Sequence, residues 1–408
     1  MVIIGAGIGG LCAAADLARR GARVTVLERQ PRAGGKMRQL APEGSAGIDA
    51  GPTVFTMRWI FEGLFADAGR RLEDALDLLP AETVARHAWH AGGRLDLFAD
   101  VDRSAEAIGD FAGAEEARGY RDFVARSADM HRTLVGPFIA SERPSPLDLV
   151  RRVGRLDALW RTAPWLSLWR ALGQHFRDPR LRQLFGRYAT YTGCSPFLAP
   201  ATLMLVAHVE QDGVWLVRGG MVRVAEAIQT LAESGGATFR FGAHVAEITV
   251  ERGRATGARL ADGERISADA VLFNGDVGAL PAGMLGEAAR GAARPVPRAA
   301  RSLSAITWCV RTPTRGFPLL HHNVFFAEDY AEFDAVFGRR TVTAAPTVYL
   351  CAQDRGHDEV PDGAAERMLL LVNAPADGDV PGVALDTEEV TSCALALLHA
   401  CGLEMPLR

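Results

Sequence analysis

The sequence predicts an α/β fold with two domains, one of which is built on a parallel sheet. The apolar run VIIGAGIGG opens the chain and leads directly into glycines with the spacing G-x-G-x-x-G. A second β-branched run, RVTVLE, follows an alanine-rich helical stretch and ends in Glu28. With 408 residues, the chain is longer than one typical core, which indicates about two domains.

Each glycine of the first turn has its own expected role. Gly5 permits the tight turn from strand to helix, Gly7 lets the backbone approach a pyrophosphate, and Gly10 lets the helix lie close to the strand. The helix that starts near Ile8 points free N–H groups and the positive end of its dipole at the phosphates. Glu28 stands where a carboxylate accepts hydrogen bonds from ribose hydroxyls. Strand, glycines, helix, strand and acid in this order predict a Rossmann-type dinucleotide site.

The segment after Glu28 distinguishes a flavin from a nicotinamide. RQPRAGGKMRQL places two adjacent glycines beside cations, which makes a second backbone approach to the same pyrophosphate. No second G-x-G-x-x-G occurs, although a flavoenzyme that also binds a pyridine nucleotide would need one. The segment resembles the R-x-G-G-R/K motif of glutathione-reductase-like FAD proteins, and this resemblance implies a retained FAD. The residues that match the motif are Arg32, Gly34, Gly35 and Lys36.

The cofactor domain is expected to be discontinuous. MVRVAEAIQTLAES has apolar residues at helical spacing, and strand-like runs follow at VAEITV and ATGARL. In FAD proteins of this kind such a returning segment holds the adenine through a valine backbone, which implies Val245 here. The expected bounds are residues 1–75 and 206–290 for the FAD-binding domain, and 76–205 and 291–408 for an inserted mixed α/β substrate domain.

Several longer segments resemble the bacterial phytoene desaturase family of carotenoid oxidoreductases. They are GIDAGPTVFTMRWIFE, GVWLVRGGM, HHNVFFAEDYAEF, APTVYLCAQDRGH and NAPADGD. TMRWIFE and CAQDR are closer to the 1-hydroxycarotenoid 3,4-desaturases within that family. The resemblance implies FAD-dependent removal of a hydride and a proton from neighbouring carbons of an acyclic carotenoid, at C-3,4 of a 1-hydroxy or 1-methoxy substrate of the neurosporene type. It assigns no general base.

The D-x-G-P-T segment has an implied role of its own. In relatives the matching segment runs beneath the flavin ring, which implies the same for Gly51, Pro52 and Thr53, with Asp49 just before them. The pattern by itself predicts a proline-stiffened turn, which is compatible with that role. Relatives also have a glycine-rich C-terminal segment that contacts the ribityl chain. This sequence ends at CGLEMPLR without one, so we expect either a fragment or a naturally short protein.

Composition argues against several other classes of partner and site. A net charge of −4 with 23% charged residues disfavours nucleic acid as the main partner. The six cysteines form no C-x-x-C pair, and neither a signal peptide nor a long apolar span is found, which predicts a cytoplasmic protein. His321 and His322 adjoin in a strand-like stretch, so we expect their side chains to point to opposite faces and to bind no metal together.

Residues 147–177 form a basic segment rich in tryptophan. Trp160, Trp165 and Trp169 stand among leucines and six arginines. A helical amphipathic segment of this kind can lie in the headgroup plane of an anionic membrane, while the alternative is a pair of core-facing helices with solvated arginines. A carotenoid substrate dissolved in the bilayer favours the first, so we expect peripheral association with the bacterial inner or photosynthetic membrane.

Three other functions remain open at this point. They are a general phytoene desaturase, another flavin amine oxidase-like oxidoreductase, and a prenyl-lipid escort protein of the GDP-dissociation-inhibitor kind. HHNVFF and CAQDR do not suit the amine oxidases. The intact glycines, together with Glu28 and Gly34-Gly35-Lys36, favour a bound flavin over the escort protein.

Overall fold

The computed structural model describes residues 1–41, 46–141, 160, 162–327, 330–356, 360–361 and 363–406. These residues divide into two compact units. The first contains Met1–Leu79 and Leu216–Ala300, and the second contains Pro80–Trp215 and Arg301–Arg408. Within the described ranges, no helix combines the length and the apolar character needed to cross a bilayer.

Helices and strands are labelled in chain order. The α-helices are α1 Ile8–Arg19, α2 Arg58–Asp67, α3 Val101–Ala112, α4 Ala114–Leu134, α5 Leu168–Leu172, α6 Pro179–Gly186, α7 Leu205–Gln211, α8 Val222–Ser234 and α9 Thr387–Ala400. The strands are β1 Val2–Ile4, β2 Thr25–Glu28, β3 Gln39–Leu40, β4 Ile48–Asp49, β5 Leu78–Pro80, β6 Thr83–Trp89, β7 Arg94–Phe98, β8 Trp215–Val217, β9 Thr238–Phe241, β10 Val245–Glu251, β11 Arg254–Leu260, β12 Arg265–Ser267, β13 Val271–Phe273, β14 Ser304–Pro313, β15 Arg315–Gly316, β16 His322–Phe326, β17 Val348–Ala352, β18 Ala365–Ala374 and β19 Leu403–Glu404.

The first unit is built on a four-stranded parallel sheet with the strand order β13-β1-β2-β9. All three residues of β1 are buried, as expected of a strand that is covered on both faces. Helices α1 and α8 pack against each other, and the antiparallel strands β10, β11 and β12 contribute apolar side chains to the same core as β1. This architecture confirms the predicted α/β fold.

The second unit contains a six-stranded sheet with the order β14-β18-β17-β16-β6-β7. Only the β16–β6 pair is parallel in this sheet. One core of the unit joins β16 to the helices α3 to α6 through a cluster of aromatic rings that includes Phe123, Phe176 and Phe185. A second core joins the sheet to α9.

The segment predicted to be a membrane-associating helix is described only in part. Residues 147–159 and 161 lie outside the described residues, and in the remainder α5 is helical whereas residues 163–167 are not. Trp160 and Trp165 are 70% and 59% exposed, and their ring centroids lie 4.2 Å apart. Trp169 is instead half-buried against another aromatic ring and a guanidinium group. Two of the three tryptophans therefore present apolar area to solvent.

Candidate cofactor site

The G-x-G-x-x-G turn connects β1 to α1. Gly5 has a φ of +101°, which disfavours any other residue. A Cβ at Gly10 would lie 2.2 Å from the carbonyl oxygen of Gly5, a distance that no side chain tolerates. Gly7 differs, because its φ of −72° suits any L residue and a Cβ there would lie 3.2 Å from the side-chain nitrogen of Asn274. The fold itself explains Gly5 and Gly10, whereas Gly7 is best explained by a group that approaches the backbone.

The N-terminus of α1 offers backbone hydrogen-bond donors. Gly7 is its N-cap residue, and none of the side chains that the structure describes caps the helix. The first helical hydrogen bond runs from the N–H of Leu11 to the carbonyl of Gly7. The N–H groups of residues 8–10 are therefore not used within the helix, and together with the helix dipole they suit a phosphate.

The Gly34-Gly35 pair packs directly on this turn. The N–H of Gly34 donates to the carbonyl of Ala6 at 2.9 Å, and a Cβ on Gly35 would lie 3.0 Å from the Cα of Gly7. Gly34 and Gly35 have φ values of +125° and +60°, and a Cβ on Gly34 would meet the carbonyl oxygen of Met37 at 2.2 Å. The two glycine-rich loops thus form one continuous backbone surface without side chains.

Glu28 lies at the carboxyl end of β2 and is 8% exposed. Its Oε2 accepts a hydrogen bond from the N–H of Ala6 at 2.7 Å, and its Oε1 accepts one from Gln30 at 2.9 Å. A carboxylate has about four acceptor positions, so it retains capacity for ribose hydroxyls. The carbonyl of Glu28 accepts from Ala243 at 2.9 Å, which brings the start of β10, at Val245, to the same strand end.

Asp49 connects the D-x-G-P-T segment to the second glycine-rich motif, VRGGM. Its Oδ2 accepts a hydrogen bond from the N–H of Met221 at 2.7 Å, just before α8, and a Cβ on Gly220 would lie 2.6 Å from the same oxygen. A Cβ on Gly51 would lie 1.8 Å from the carbonyl oxygen of Lys36. Close approaches that only glycine permits, to the Asp49 carboxylate and to the backbone of Lys36, therefore hold these segments together.

Asn274 is a site residue that sequence analysis missed. Its Nδ2 donates to the carbonyls of Gly5 and Gly7 at 3.3 and 3.4 Å, and its backbone N–H donates to Ile4 at 2.8 Å. It directly follows β13, the strand beside β1, at the edge of a parallel sheet where ligands bind. The available signal was FNGD, a polar residue immediately after a short apolar strand.

The predicted cofactor residues all lie in the first unit. Some of these residues are connected to one another by contacts around the turn, namely Gly5, Gly7, Gly10, Glu28, Gly34, Gly35, Lys36 and Gly51. Arg32 and Pro52 are exposed and Thr53 is half-buried in the adjoining turns. The side-chain-free cradle, the uncapped helix and the exposed cations Arg32 and Lys36 fit a dinucleotide pyrophosphate.

The expectation that His321 and His322 point to opposite faces was wrong. Strand β16 begins at His322, so the alternation of a strand does not extend to His321, and the two ring centroids lie 4.6 Å apart. Burial lowers the pKa of His322 well below its ordinary value, and the charges of His321 and Arg187 act in the same direction. His322 is therefore neutral at physiological pH.

Three comparisons relate these features to known proteins. The model of the family "Flavin containing amine oxidoreductase" matches residues 8–402. Hydroxyneurosporene desaturase from Rubrivivax gelatinosus is 52% identical over 99% of this chain and 78% of that protein, and the Cereibacter sphaeroides enzyme is 42% identical over 96% of this chain and 78% of that protein. An oxidoreductase from Methanosarcina mazei has a TM-score of 0.61 at 16% identity, with 100% of this chain and 86% of that chain covered, which supports the fold alone.

Proposed function

The chain belongs to the flavin containing amine oxidoreductase family, and we propose that it desaturates an acyclic carotenoid at C-3,4 of a substrate that already has an oxygen at C-1. The observation that carries this proposal is the 52% identity to a hydroxyneurosporene desaturase over 99% of the chain. The intact glycine cradle supports it, because a protein that had lost its redox role would not need Gly7 to remain free of a side chain.

FAD is the cofactor of this family, and when bound it supplies a hydride acceptor. We propose that the N-terminus of α1 and the Gly34-Gly35 loop hold the pyrophosphate, with Arg32 and Lys36 adding positive charge. Glu28 would accept hydrogen bonds from the ribose, and the backbone at Val245 would contact the adenine. The segment Gly51, Pro52 and Thr53 would lie next to the flavin ring.

The chemistry requires little covalent participation by side chains. A hydride and a proton leave neighbouring carbons of a long apolar chain, so the main task of the protein is to position that chain and to exclude water. An apolar pocket discriminates poorly against a hydroxyl group, but a polar group that pairs with the C-1 oxygen can reject the hydrocarbon by several orders of magnitude.

The substrate proposal is tested with the full chain and FAD in liposomes. 1-Hydroxyneurosporene is expected to gain one double bond, seen as a shift of its absorption to the red, while phytoene stays largely unchanged. Gly7→Val is the matched control, because it should abolish turnover of every carotenoid. Efficient multi-step desaturation of phytoene would move the assignment to a general phytoene desaturase and leave the FAD site unchanged.

We also propose that the segment around Trp160 and Trp165 binds the membrane surface that holds the substrate. Both tryptophans are exposed, and Leu198, which is 74% exposed, lies beside the same segment because the N–H of Leu168 donates to Ala199 at 2.8 Å. Exposed tryptophan and leucine side chains insert at the headgroup boundary, where nearby arginines are attracted to anionic lipid.

In sedimentation with anionic liposomes, Trp165→Ser is expected to lower the partition coefficient by about tenfold, since one large apolar side chain is no longer buried. Salt should weaken binding of the unmodified protein, because it screens the arginines. Met284→Ser is the control, since Met284 is 69% exposed in the other unit. Equal losses for the two variants would contradict the assignment of this surface.

A further inference from the structure

Three side chains with metal-binding atoms lie together at one end of the β16–β17 pair. One ligand atom each from His321, His322 and Cys351 lies within 4.8 Å of the other two. His322 and Cys351 are direct partners in the antiparallel register, so their side chains stand next to each other on one face of the sheet. The ring of His321 reaches them from the residue before the strand.

One ring nitrogen of each histidine is held by the protein. Nδ1 of His321 lies 2.7 Å from the carbonyl oxygen of Arg355, and Nδ1 of His322 lies 2.8 Å from the hydroxyl of Tyr349. Histidines that bind metals typically use their other nitrogen in this way, which fixes the orientation of the ring and the position of its proton. The bond to a carbonyl requires the proton of His321 on Nδ1, which leaves Nε2 with a lone pair.

His322 has a buried ring nitrogen for which the described part of the chain provides no hydrogen bond. The residue is 4% exposed, and its Nε2 has no partner among the described residues. Buried polar atoms are nearly always paired, and each exception needs an explanation such as an ion.

We propose that His321, His322 and Cys351 bind one zinc ion. Two imidazole nitrogens and one sulfur suit a borderline-soft cation and disfavour Mg²⁺ or Ca²⁺, which prefer oxygen. Binding deprotonates the thiol of Cys351, and the resulting negative charge offsets part of the charge of the ion. Three protein ligands leave one position of a tetrahedral site open for a further ligand. The site lies in the second unit, whereas the cofactor residues lie in the first.

The test uses the full chain, purified with a tag that contains no histidine and freed of metal with a chelator. Titration with Co²⁺ should produce the visible bands of a tetrahedral site and a sulfur-to-cobalt charge-transfer band, both of which saturate at one equivalent and disappear when Zn²⁺ is added. Cys351→Ser should abolish the charge-transfer band. Cys401→Ser is the control. It changes a half-buried cysteine of the same unit and should leave the charge-transfer band unchanged.

Tyr349→Phe adds a measurement that keeps all three ligands. It removes the group that holds Nδ1 of His322 and is expected to weaken the affinity for Co²⁺ by about 10- to 100-fold. The absence of a charge-transfer band from the unmodified protein at one equivalent of Co²⁺ would overturn the proposal. A band that survives Cys351→Ser would overturn it as well. None of these readouts depends on flavin binding or on desaturation.

Discussion

Gly7→Val is expected to give a folded protein that has lost its flavin absorption band. The φ of −72° and ψ of 171° at Gly7 suit a β-branched residue, and the atom that a Cβ first meets is the movable side-chain amide of Asn274, at 3.2 Å. The rest of the valine side chain then occupies the space through which a pyrophosphate reaches the backbone. Loss of two or more charge-assisted hydrogen bonds, at about 1.5–3 kcal/mol each, lowers the affinity for FAD by about 100-fold or more.

Two further glycine variants separate flavin binding from folding. Gly10→Ala places a Cβ 2.2 Å from a backbone oxygen, so the turn must move, and we expect a loss of about 1–3 kcal/mol in the free energy of unfolding as well as of flavin. In Gly63→Ala, in α2, the new Cβ meets no described atom within 4 Å beyond its own helix backbone and chain neighbours, so both properties should stay intact. Thermal midpoints from circular dichroism and the ratio of flavin to protein absorbance check all three. A yellow Gly7→Val protein would contradict the proposed pyrophosphate site.

The part of the cofactor site that the sequence predicted depends on local backbone geometry. Gly5 is required by its positive φ, and Gly10 and Gly34 by close contacts with the carbonyl oxygens of Gly5 and Met37, so their spacing is visible in the sequence. Asn274 and Met221 reach the site from elements far along the chain. Asn274 donates to the carbonyls of Gly5 and Gly7, and Met221 donates to Asp49. FNGD indicates only that a polar residue follows a strand, and its partners cannot be read from the sequence because they depend on the strand order of the sheet.

The tertiary structure bears on two interpretations in the second unit, one made from strand alternation and one from the family resemblance. The prediction that His321 and His322 point to opposite faces assumed that both lie in a strand, but β16 begins one residue after His321. CAQDR was read as a sign of substrate specificity, whereas the structure also gives it a packing role. Asp354 accepts from the side chain of Arg367 at 2.8 Å, and Arg355 donates to the carboxylate of Glu366. The motif thus joins the end of β17 to the start of β18.

Arg355→Met is expected to lower the free energy of unfolding of the second unit by about 3–5 kcal/mol, because it leaves a buried carboxylate without its cation. Glu366 is 1% exposed, and its two oxygens accept from Nε and Nη2 of Arg355 at 2.5 and 2.7 Å. Arg355 also donates to the carbonyl of Leu319 at 2.9 Å, and Thr314 donates to Glu366 at 2.8 Å. The Glu366 carboxylate is almost fully buried although the Arg355 side chain is 28% exposed, so water replaces the lost cation only in part.

Adding Glu366→Gln to Arg355→Met should recover most of that loss, because a neutral amide costs less to bury and still accepts from Thr314. Arg177→Met is the control. It removes one member of an ion pair with Glu115 whose side chains are 80% and 57% exposed, and should cost about 0–1 kcal/mol. Urea unfolding followed by near-ultraviolet circular dichroism measures all four proteins. If Arg355→Met keeps its stability but no longer discriminates 1-hydroxyneurosporene from phytoene, CAQDR acts on the substrate rather than on the fold.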